Sequence, residues 1–191
     1  MRVVGGIAGG IPLQVPKSDL RPTMDLVKNA IFSSLAELVP GARVLDLFAG
    51  TGGLGIEALS RGAASCLFIE SDRRACDVIR RNLEKTRLLN GTVSCFDAMR
   101  WLERSAPPQS FDIILADPPY SKAPGERDFA TELLTLDALR RTLAPDGFLI
   151  LEHLPDGPLK TGTAWECTRD KRYGATAVAF LRAAGTAESQ S

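Results

Sequence analysis

The hydrophobic positions of the chain form short apolar runs, separated by longer stretches in which apolar and polar residues recur with a helical period. Apolar runs of this kind are typical of strands that are buried on both faces of a parallel sheet. They occupy residues 43–48, 65–70, 92–96, 111–116 and 148–152, and the helical stretches occupy residues 53–61, 72–88 and 128–143. This alternation predicts an α/β fold, a Rossmann-like, mostly parallel sheet with helices on both faces.

In the C-terminal part of the sequence, strand-like and helical stretches no longer alternate. Residues 163–169 and 176–181 both have strand-like patterns, and no helical stretch separates them. Two consecutive strands with a short connection predict an antiparallel hairpin, which we place at one edge of the sheet. Residues 145–147, Pro-Asp-Gly, are interpreted as a turn that precedes the last parallel strand. Residues 183–191 are small and polar, so we expect a disordered tail.

The N-terminal part is an extension of the α/β pattern. Residues 2–15 are rich in glycine and β-branched residues, which predicts a β-hairpin, and residues 23–38 form an amphipathic helical pattern. Thr23 is the predicted N-cap of this helix, as Asp72 is of the helix over residues 72–88. We therefore expect one domain over residues 1–182, with residues 1–40 as the extension and residues 41–182 as the core.

Composition bears on the cellular location of the protein and on the metals and nucleic acids that it could bind. Hydrophobic residues make up 45% and charged residues 24% of the 191 residues, and no apolar run approaches the roughly 20 residues that cross a bilayer. The N-terminus lacks the pattern of a signal peptide, so we expect a cytoplasmic protein with no membrane contact. The four cysteines have no metal-ligand spacing, and we expect no metal. Because 23 basic residues balance 23 acidic ones, any nucleic-acid surface must be local.

A glycine-rich loop follows the first predicted strand, within the sequence VLDLFAGTGGLG. Gly50, Gly52 and Gly55 have the spacing GxGxxG, in which glycines let a ligand approach the backbone closely. Glu70 ends the second strand, where a carboxylate in this fold type accepts hydrogen bonds from ribose hydroxyls. The loop therefore predicts a nucleotide-like cofactor. A nicotinamide dehydrogenase would show the same two features.

Two aspartates help to distinguish the possible cofactors. Asp46 lies inside the first strand, just before the glycine loop. An acid there would repel a pyrophosphate but could hold the ammonium end of a methionine moiety, directly or through water. Asp97 follows the third strand, where its side chain could receive an adenine amine, cap the helix that runs to Arg104, or do both.

The tetrapeptide Asp117-Pro118-Pro119-Tyr120 ends the fourth strand and is the sharpest motif in the chain. The amine of a nucleobase is a poor nucleophile because its lone pair is delocalised into the ring. Two acceptors on the amine hydrogens, the Asp117 carboxylate and the Pro118 carbonyl, would free that lone pair. The two prolines stiffen the loop that presents these oxygens, and Tyr120 can stack on the base. The motif therefore predicts methyl transfer to an exocyclic amine.

Taken together, DLFAGTGGLG, Glu70, DPPY, the LRPT segment at residues 20–23 and KRYG at residues 171–174 resemble the bacterial family of 16S rRNA guanine-N2 methyltransferases. The resemblance extends over residues 1–182. It implies the class I methyltransferase fold, with a seven-stranded sheet, and S-adenosyl-L-methionine as methyl donor. It also implies a guanine 2-amino group in small-subunit rRNA as acceptor, in the 30S subunit or its precursor. We expect a monomer.

The resemblance also implies roles for individual residues. The catalytic residues are Asp117, Pro118, Pro119 and Tyr120. The residues that hold the cofactor are Asp46, Phe48, Ala49, Gly50, Thr51, Gly52, Gly55, Glu70, Asp97 and Ala98. The residues that contact RNA are Arg2, Lys17, Arg21, Thr23, Lys171, Arg172 and Tyr173. Family members usually carry several basic residues in the N-terminal hairpin, where this chain has GGIAGGIPLQ. We therefore expect Arg21, Lys171 and Arg172 to carry more of the RNA affinity.

Three other functions share part of this pattern. A DNA or RNA adenine-N6 methyltransferase, or a cytosine-N4 enzyme, would use the same DPPY site, but the chain has no insertion large enough to read duplex DNA. A nicotinamide-dependent oxidoreductase would not need DPPY, and Asp46 would oppose its pyrophosphate. A non-catalytic RNA-binding module would not need Asp117 and Tyr120.

Overall fold

The computed structural model describes residues 1–15, 22–121, 126–155 and 159–184. Within them, seven strands form one sheet. The strands are β1 (Arg43–Leu47), β2 (Ser65–Glu70), β3 (Gly91–Cys95), β4 (Phe111–Ala116), β5 (Leu143–His153), β6 (Trp165–Tyr173) and β7 (Thr176–Ala183). Their order across the sheet is β3-β2-β1-β4-β5-β7-β6.

The sheet is parallel except at its C-terminal edge. β1 pairs in parallel with β2 on one side and with β4 on the other, whereas β7 is antiparallel to both β5 and β6. The predicted α/β fold with an antiparallel hairpin at one edge is therefore confirmed. The chain reverses its direction of strand addition between β1 and β4, and open α/β sheets bind ligands at the carboxyl ends of the strands at such a point.

The helices cover both faces of the sheet. They are α1 (Pro22–Leu35), α2 (Gly53–Ser60), α3 (Arg73–Thr86), α4 (Ala98–Ser105), α5 (Phe129–Thr135) and α6 (Asp137–Thr142), and a 3₁₀ turn (Ala36–Leu38) follows α1. Two buried apolar clusters lie on opposite faces of the strands, one around Phe68 and Ile79 and the other around Leu102 and Leu149. The predicted cap of α3 is confirmed, because the Asp72 side chain accepts a hydrogen bond from the Arg74 amide.

The single helix predicted over residues 128–143 is wrong, because the chain forms two helices there. The break falls at Leu136, whose backbone is extended (φ −84°, ψ 107°). Just before it, the Thr135 hydroxyl donates to the Glu132 carbonyl, and such local bonds compete with helix continuation. α5 and α6 each bury a leucine, Leu133 and Leu139, so each short helix is held by the core and not by its own length.

The turn at residues 145–147 does not separate a helix from a strand, as the sequence suggested. β5 already begins at Leu143, and the register with β4 shifts between the pairs Phe111–Leu143 and Ile113–Phe148. The predicted turn is therefore an irregularity within β5, with Asp146 in the left-handed region at φ 63°. The final hairpin is also longer than predicted, since Lys171, Arg172 and Tyr173 belong to β6.

The N-cap predicted at Thr23 is wrong, because α1 begins one residue earlier, at Pro22. Proline suits the first position of a helix, where its fixed φ is already helical and its missing N–H has no intrahelical partner to lose. The α-helix ends at Leu35, and residues 36–38 continue as the 3₁₀ turn.

The N-terminal residues fold back as a short antiparallel hairpin, as the sequence predicted, although its halves are too irregular to form regular strands. One bridge joins Arg2 to Pro12, and backbone hydrogen bonds run from Val3 N to Ile11 O, from Gly10 N to Val3 O and from Leu13 N to Met1 O. The segment packs against the core, where Val3, Ala8 and Leu13 are buried. Side chains of α2 and α3 supply further hydrogen bonds to it.

Glu57, on α2, is the main anchor of this N-terminal segment. Its carboxylate is completely buried and accepts hydrogen bonds from the amides of Val4 and Gly5 at 2.7 and 2.8 Å. The same carboxylate accepts from Arg61 Nε at 2.8 Å and lies 3.6 Å from the ammonium of Lys28. Two backbone donors and two cations therefore meet one buried acid.

Two polar side chains, one on α2 and one on α3, also hold the segment. The Ser60 hydroxyl accepts from the Ala8 amide and donates to the Gly5 carbonyl. Asn82, buried on α3, accepts from the Gln14 amide through Oδ1 and donates through Nδ2 to the carbonyls of Gln14 and Thr51. Asn82 therefore connects the N-terminal segment to the glycine loop.

In the part of the chain that the structure describes, no helix is both long enough and apolar enough to cross a membrane. Over the same residues, no three His, Cys, Asp or Glu side chains are grouped so that they could hold a metal ion.

We predict that Glu57→Gln will lower the free energy of unfolding by about 3 kcal/mol, because removing the charge leaves buried cations and amides without their acceptor. Denaturant unfolding of the purified protein measures this. Glu84→Gln, an exposed substitution on α3, is the matched control and should change the free energy of unfolding by less than about 0.5 kcal/mol. Equal effects of the two substitutions would contradict the anchoring role of Glu57.

Candidate active site

A cavity of about 990 Å³ lies at the carboxyl ends of the central strands. The glycine loop after β1 forms one wall and the residues after β4 form another. Glu70, at the end of β2, and Glu152, near the end of β5, also line it. The N-terminal segment closes part of the cavity through Met1 and Val15. The volume suits a nucleoside-sized ligand together with part of a second molecule.

The glycine loop turns sharply as it leaves β1. Phe48, Gly50 and Gly52 all have left-handed backbones, with φ values of 56°, 54° and 81°. A left-handed phenylalanine is uncommon, and such strained residues concentrate at binding sites. Gly55 is needed for a different reason: a Cβ there would lie 2.3 Å from Cε1 of Phe68, so only glycine lets α2 pack this closely on the sheet.

Asp46 lies where the sequence placed it, at the end of β1 beneath the glycine loop. Its carboxylate is buried, and Oδ2 accepts a hydrogen bond from the Gly55 amide at 2.9 Å. Burial raises the pKa of Asp46 well above its usual value, and the nearby carboxylates of Asp117 and Glu70 raise it further. A cationic group in the cavity, which Asp46 lines, would stabilise its charged form.

Glu70 is held in place by backbone amides. Its Oε2 accepts from the Gly50 amide at 2.8 Å, and its Oε1 accepts from the Asp72 amide at 2.8 Å. The side chain thus links the end of β2 to the glycine loop and to the start of α3. Each oxygen keeps further acceptor capacity, so the predicted contact with ribose hydroxyls is compatible with this geometry.

The other predicted cofactor residues divide into two groups. Phe48, Ala49, Gly50 and Thr51 line the cavity together with Asp46 and Glu70. The described residues that line it do not include Gly52, Gly55, Asp97 or Ala98. Asp97 is the N-cap of α4, where it accepts from the Arg100 amide at 2.9 Å. The capping role is therefore observed, whereas a contact with an adenine amine stays a prediction.

The DPPY tetrapeptide is adjacent to the glycine loop. In the parallel pairing of β1 with β4, Leu47 lies opposite Ala116, so the loop and the tetrapeptide leave the sheet side by side. Asp117, Pro118, Pro119 and Tyr120 all line the cavity. Pro118 is buried and Asp117 is exposed, which places a carboxylate at the surface of a rigid, anchored loop.

Tyr120 is anchored by two polar residues that the sequence analysis did not identify. Its hydroxyl lies 3.0 Å from Glu152 Oε1 and 2.6 Å from the Thr176 hydroxyl. Burial raises the pKa of Tyr120, and the Glu152 carboxylate raises it further, so the side chain stays a neutral phenol. These two contacts, called here the tether of Tyr120, fix its ring at the cavity wall, where the ring can present a face to a planar ligand.

A sequence signal for Glu152 existed. It lies at the carboxyl end of a predicted strand, as Glu70 does, and such positions face the ligand crevice in open α/β sheets. Thr176 had no comparable signal, because it begins an antiparallel strand and reaches the site only through the pairing of β7 with β5.

Lys28 is a second residue that the structure brings to the cavity. It is buried on α1, lines the cavity, and donates a hydrogen bond to the Arg2 carbonyl. Burial lowers the pKa of Lys28, against the opposing effect of Glu57 and Asp25, which lie 3.6 and 3.7 Å from its ammonium group. The positive charge of Lys28 is therefore paired with these two acids, and the buried side chain does not contribute to an RNA-binding surface.

Of the residues predicted to contact RNA, the structure places three beside the cavity, on β6. Lys171 and Arg172 are exposed on β6, and Tyr173 lines the cavity. The Lys171 ammonium lies 5.5 Å from the centre of the Tyr173 ring, which connects the basic pair to the cavity rim. Arg2 is exposed on the N-terminal segment. Lys17, Arg21 and the side chain of Thr23 lie outside the described residues.

Curated relatives match almost the full length of the chain. The Bacillus subtilis protein YlbH is 39% identical over 189 residues, which are 97% of this chain and 100% of that protein. Ribosomal RNA small subunit methyltransferase D of Escherichia coli is 34% identical over 191 residues, which are 99% of this chain and 93% of that protein.

Solved structures give the same result. The Escherichia coli protein yhhF superposes with a TM-score of 0.82 at 31% sequence identity, covering 97% of this chain and 99% of that one. The resemblance inferred from the glycine loop, DPPY and KRYG is confirmed at the level of the family. A family model described as "Conserved hypothetical protein 95" matches residues 1–182. The chain belongs to that family.

Proposed function

We propose that this protein transfers a methyl group from S-adenosyl-L-methionine to the 2-amino group of a guanine in small-subunit (16S) rRNA. The observation that carries the proposal is the position of Asp117-Pro118-Pro119-Tyr120, at the carboxyl end of β4 and directly beside the glycine loop after β1. A carboxylate and a rigid carbonyl are thereby presented at the wall of a cavity that suits a nucleoside-like donor.

The relatives support the choice of acceptor. The Escherichia coli relative is named as a methyltransferase of small-subunit ribosomal RNA, and this chain matches it nearly from end to end. Ribosomal RNA methylation is therefore the activity of the chain. We propose guanine N2 as the acceptor atom, and the 30S subunit or its precursor as the form in which the RNA is bound.

The residues of the cavity fit S-adenosyl-L-methionine. Gly50 has open space where a Cβ would stand, so a ligand can lie against the loop backbone. Glu70 offers acceptors to ribose hydroxyls, and Asp46 offers a buried acid to a cation. A nicotinamide dinucleotide fits less well, because its negatively charged pyrophosphate would lie beside Asp46 and be repelled by it. The carboxylates of Asp117 and Glu70 already raise the pKa of Asp46, so a further negative charge there is unfavourable.

Bound in this cavity, S-adenosyl-L-methionine would supply a methyl group made electrophilic by its sulfonium charge. Asp117 and the Pro118 carbonyl would accept the two hydrogens of the guanine amine and so direct its lone pair toward the donor side of the cavity. Asp117 can then take the proton that the amine releases. Most of the rate gain comes from positioning, which is worth about 7–11 kcal/mol in favourable cases.

Tyr120 holds the plane of the target base in this proposal. Stacking of a base on an aromatic ring is worth about 1–3 kcal/mol and does not depend on base identity. Because its hydroxyl is bound to Glu152 and Thr176, the ring of Tyr120 needs little reordering when a base arrives.

We predict that Asp117→Ala will keep cofactor affinity and reduce turnover by about 100-fold or more, because one acceptor of the amine is lost. Labelled donor is incubated with small subunits from cells that lack the protein, and rRNA nucleosides are analysed by mass spectrometry for N2-methylguanosine. Asp137→Ala, an exposed change on α6, is the control and should leave turnover unchanged. Turnover that survives in Asp117→Ala would refute the assigned role.

We predict that Asp46→Asn will weaken binding of S-adenosylhomocysteine by about 10-fold or more, because the charge that attracts its ammonium group is removed. The folded protein should not lose stability. The pKa of Asp46 is raised by folding, so its charge costs stability at every pH above its unfolded pKa, and asparagine removes that cost.

Calorimetry with S-adenosylhomocysteine and thermal unfolding at pH 8 measure the two effects of Asp46→Asn. Loss of affinity together with loss of stability would contradict the assigned role, because it would indicate misfolding of the loop. Calorimetry of the unaltered protein with NADH is the test of the cofactor itself: tight binding of NADH and none of S-adenosylhomocysteine would overturn the proposed function.

We predict that replacing Lys171 and Arg172 together by alanine will raise KM for small subunits about 10-fold with little change in kcat, since phosphate contacts contribute to affinity. The salt dependence of KM should become shallower. Replacing Arg80 and Arg81 on α3 by alanine removes the same charge from another exposed surface and is the control. Equal rises in KM for the two pairs would show that net charge, not the β6 surface, determines affinity.

A further inference from the structure

Glu152 occupies a position in the sheet equivalent to that of Asp117. Ala116 of β4 lies opposite Leu151 of β5, so Asp117 and Glu152 follow a matched pair on adjacent parallel strands. Matched positions on adjacent strands point to the same face of a sheet. Both side chains line the cavity. A second carboxylate is thus placed beside the residue that is proposed to hold the target amine.

The hydrogen bonds of Glu152 leave part of its carboxylate available. The hydroxyls of Tyr120 and Thr176 each lie 3.0 Å from the same oxygen, Oε1. Within the described residues, Oε2 has no hydrogen-bonded partner. A carboxylate has acceptor sites for about four hydrogens, so both oxygens keep capacity for a ligand. The tether to Tyr120 and Thr176 fixes the orientation of this acceptor before a ligand binds.

From this geometry we infer that Glu152 selects guanine by accepting the hydrogen on guanine N1. Guanine presents two neighbouring groups of donors on its Watson–Crick edge, the N1 hydrogen and the 2-amino hydrogens. Asp117 and the Pro118 carbonyl hold the amine, and Glu152, beside them, meets the adjacent N1 hydrogen. The inference rests on the proposed function, because it names the group that chooses the base within the same site.

The same carboxylate rejects adenine. The N1 atom of adenine carries a lone pair in place of a hydrogen, so it would meet a fixed negative charge with no proton between them. A carboxylate oxygen that contacts a lone pair gives up water without gaining a donor, and sites built to bind an N–H therefore discriminate strongly against analogues that lack it. Glu152 thus distinguishes guanine-N2 from adenine-N6 methylation, which DPPY alone does not.

The test uses an analogue that lacks the N1 hydrogen, together with the 6-carbonyl oxygen of guanine. Small subunits are reconstituted with 2-aminopurine in place of the guanine that the unaltered protein methylates. 2-Aminopurine keeps the 2-amino group but has a lone pair at N1. The measured quantity is the ratio of methylation rates for guanine and 2-aminopurine. Comparing this ratio between variants cancels the intrinsic difference in reactivity between the two amines.

We expect Glu152→Gln to lower the guanine to 2-aminopurine ratio by about 10- to 100-fold, the value of one hydrogen bond to a charged group. The glutamine amide can still accept from Tyr120, and it can donate to N1 of 2-aminopurine. Glu152→Ala should lower the ratio in the same direction, and it keeps the test decisive if the glutamine variant does not fold. Thermal unfolding verifies that each variant is folded.

Tyr120→Phe separates base selection from the tethering of Tyr120. This variant removes the hydroxyl that binds Glu152 but keeps the Glu152 carboxylate, so it should slow both substrates equally and leave the ratio unchanged. An unchanged ratio in both Glu152 variants, or an equal change in Tyr120→Phe, would overturn the inference and leave the proposed function standing. If the unaltered protein forms no N2-methylguanosine, the proposed function fails, and the inference fails with it.

Discussion

Four carboxylates on one face of the sheet constrain everything else in the site. Asp46 lies opposite Phe68 and Leu115, and Leu115 lies opposite Ile150. Two residues after these partners come the other three acids: Glu70 after Phe68, Asp117 after Leu115 and Glu152 after Ile150. Side chains two residues apart on a strand point to the same face, so all four acids share a face, and all four line one cavity. Burial raises the pKa of Asp46, and repulsion by Asp117 and Glu70 raises it further. Backbone amides donate hydrogen bonds to Asp46 and Glu70 and so compensate part of the negative charge. The remaining negative charge favours ligands that carry a cation or several N–H donors. A sulfonium nucleoside with an ammonium group and the donor edge of guanine are two ligands of that kind.

The N-terminal segment belongs to this arrangement and is not a separate arm. Glu57 binds its amides, and Asn82 binds both Gln14 and the Thr51 carbonyl of the glycine loop. Lys28, which could have neutralised the acids of the cavity, is held by Glu57 and Asp25 instead. The polar groups of α2 and α3 thus join the wall of the cavity to the glycine loop. The stability of that wall and the shape of the cavity depend on the same buried side chains.

The sequence predicted those parts of the fold that depend on local pattern. The strands at Ser65–Glu70 and Phe111–Ala116 have the predicted bounds, because both are apolar runs with clear polar ends. The N-terminal hairpin was predicted but its anchor was not, because Glu57 lies about 50 residues away and leaves no trace in local pattern. The tether of Tyr120 was missed for the same reason, since it requires β5 and β7 to be neighbours. Local pattern located Asp117, and only the sheet order showed which residues stand beside it.

The shape of the site limits the state in which the target base can arrive. Pro118 is buried, Tyr120 is half-buried, and both line the cavity with the exposed Asp117, so in the proposed function the amine must enter the cavity to contact all three. A guanine paired in a helix uses the N1 and 2-amino hydrogens for its partner, and its stacked neighbours prevent entry. Enzymes that modify bases therefore act on unpaired or flipped nucleotides, where selectivity follows partly from the cost of unstacking. With no net charge, the protein has no strong general attraction for RNA that could offset such a cost at every guanine. In the proposed function, selection of the nucleotide thus falls to the local surface of β6 and to the folded RNA, which must present one guanine already free of its pair.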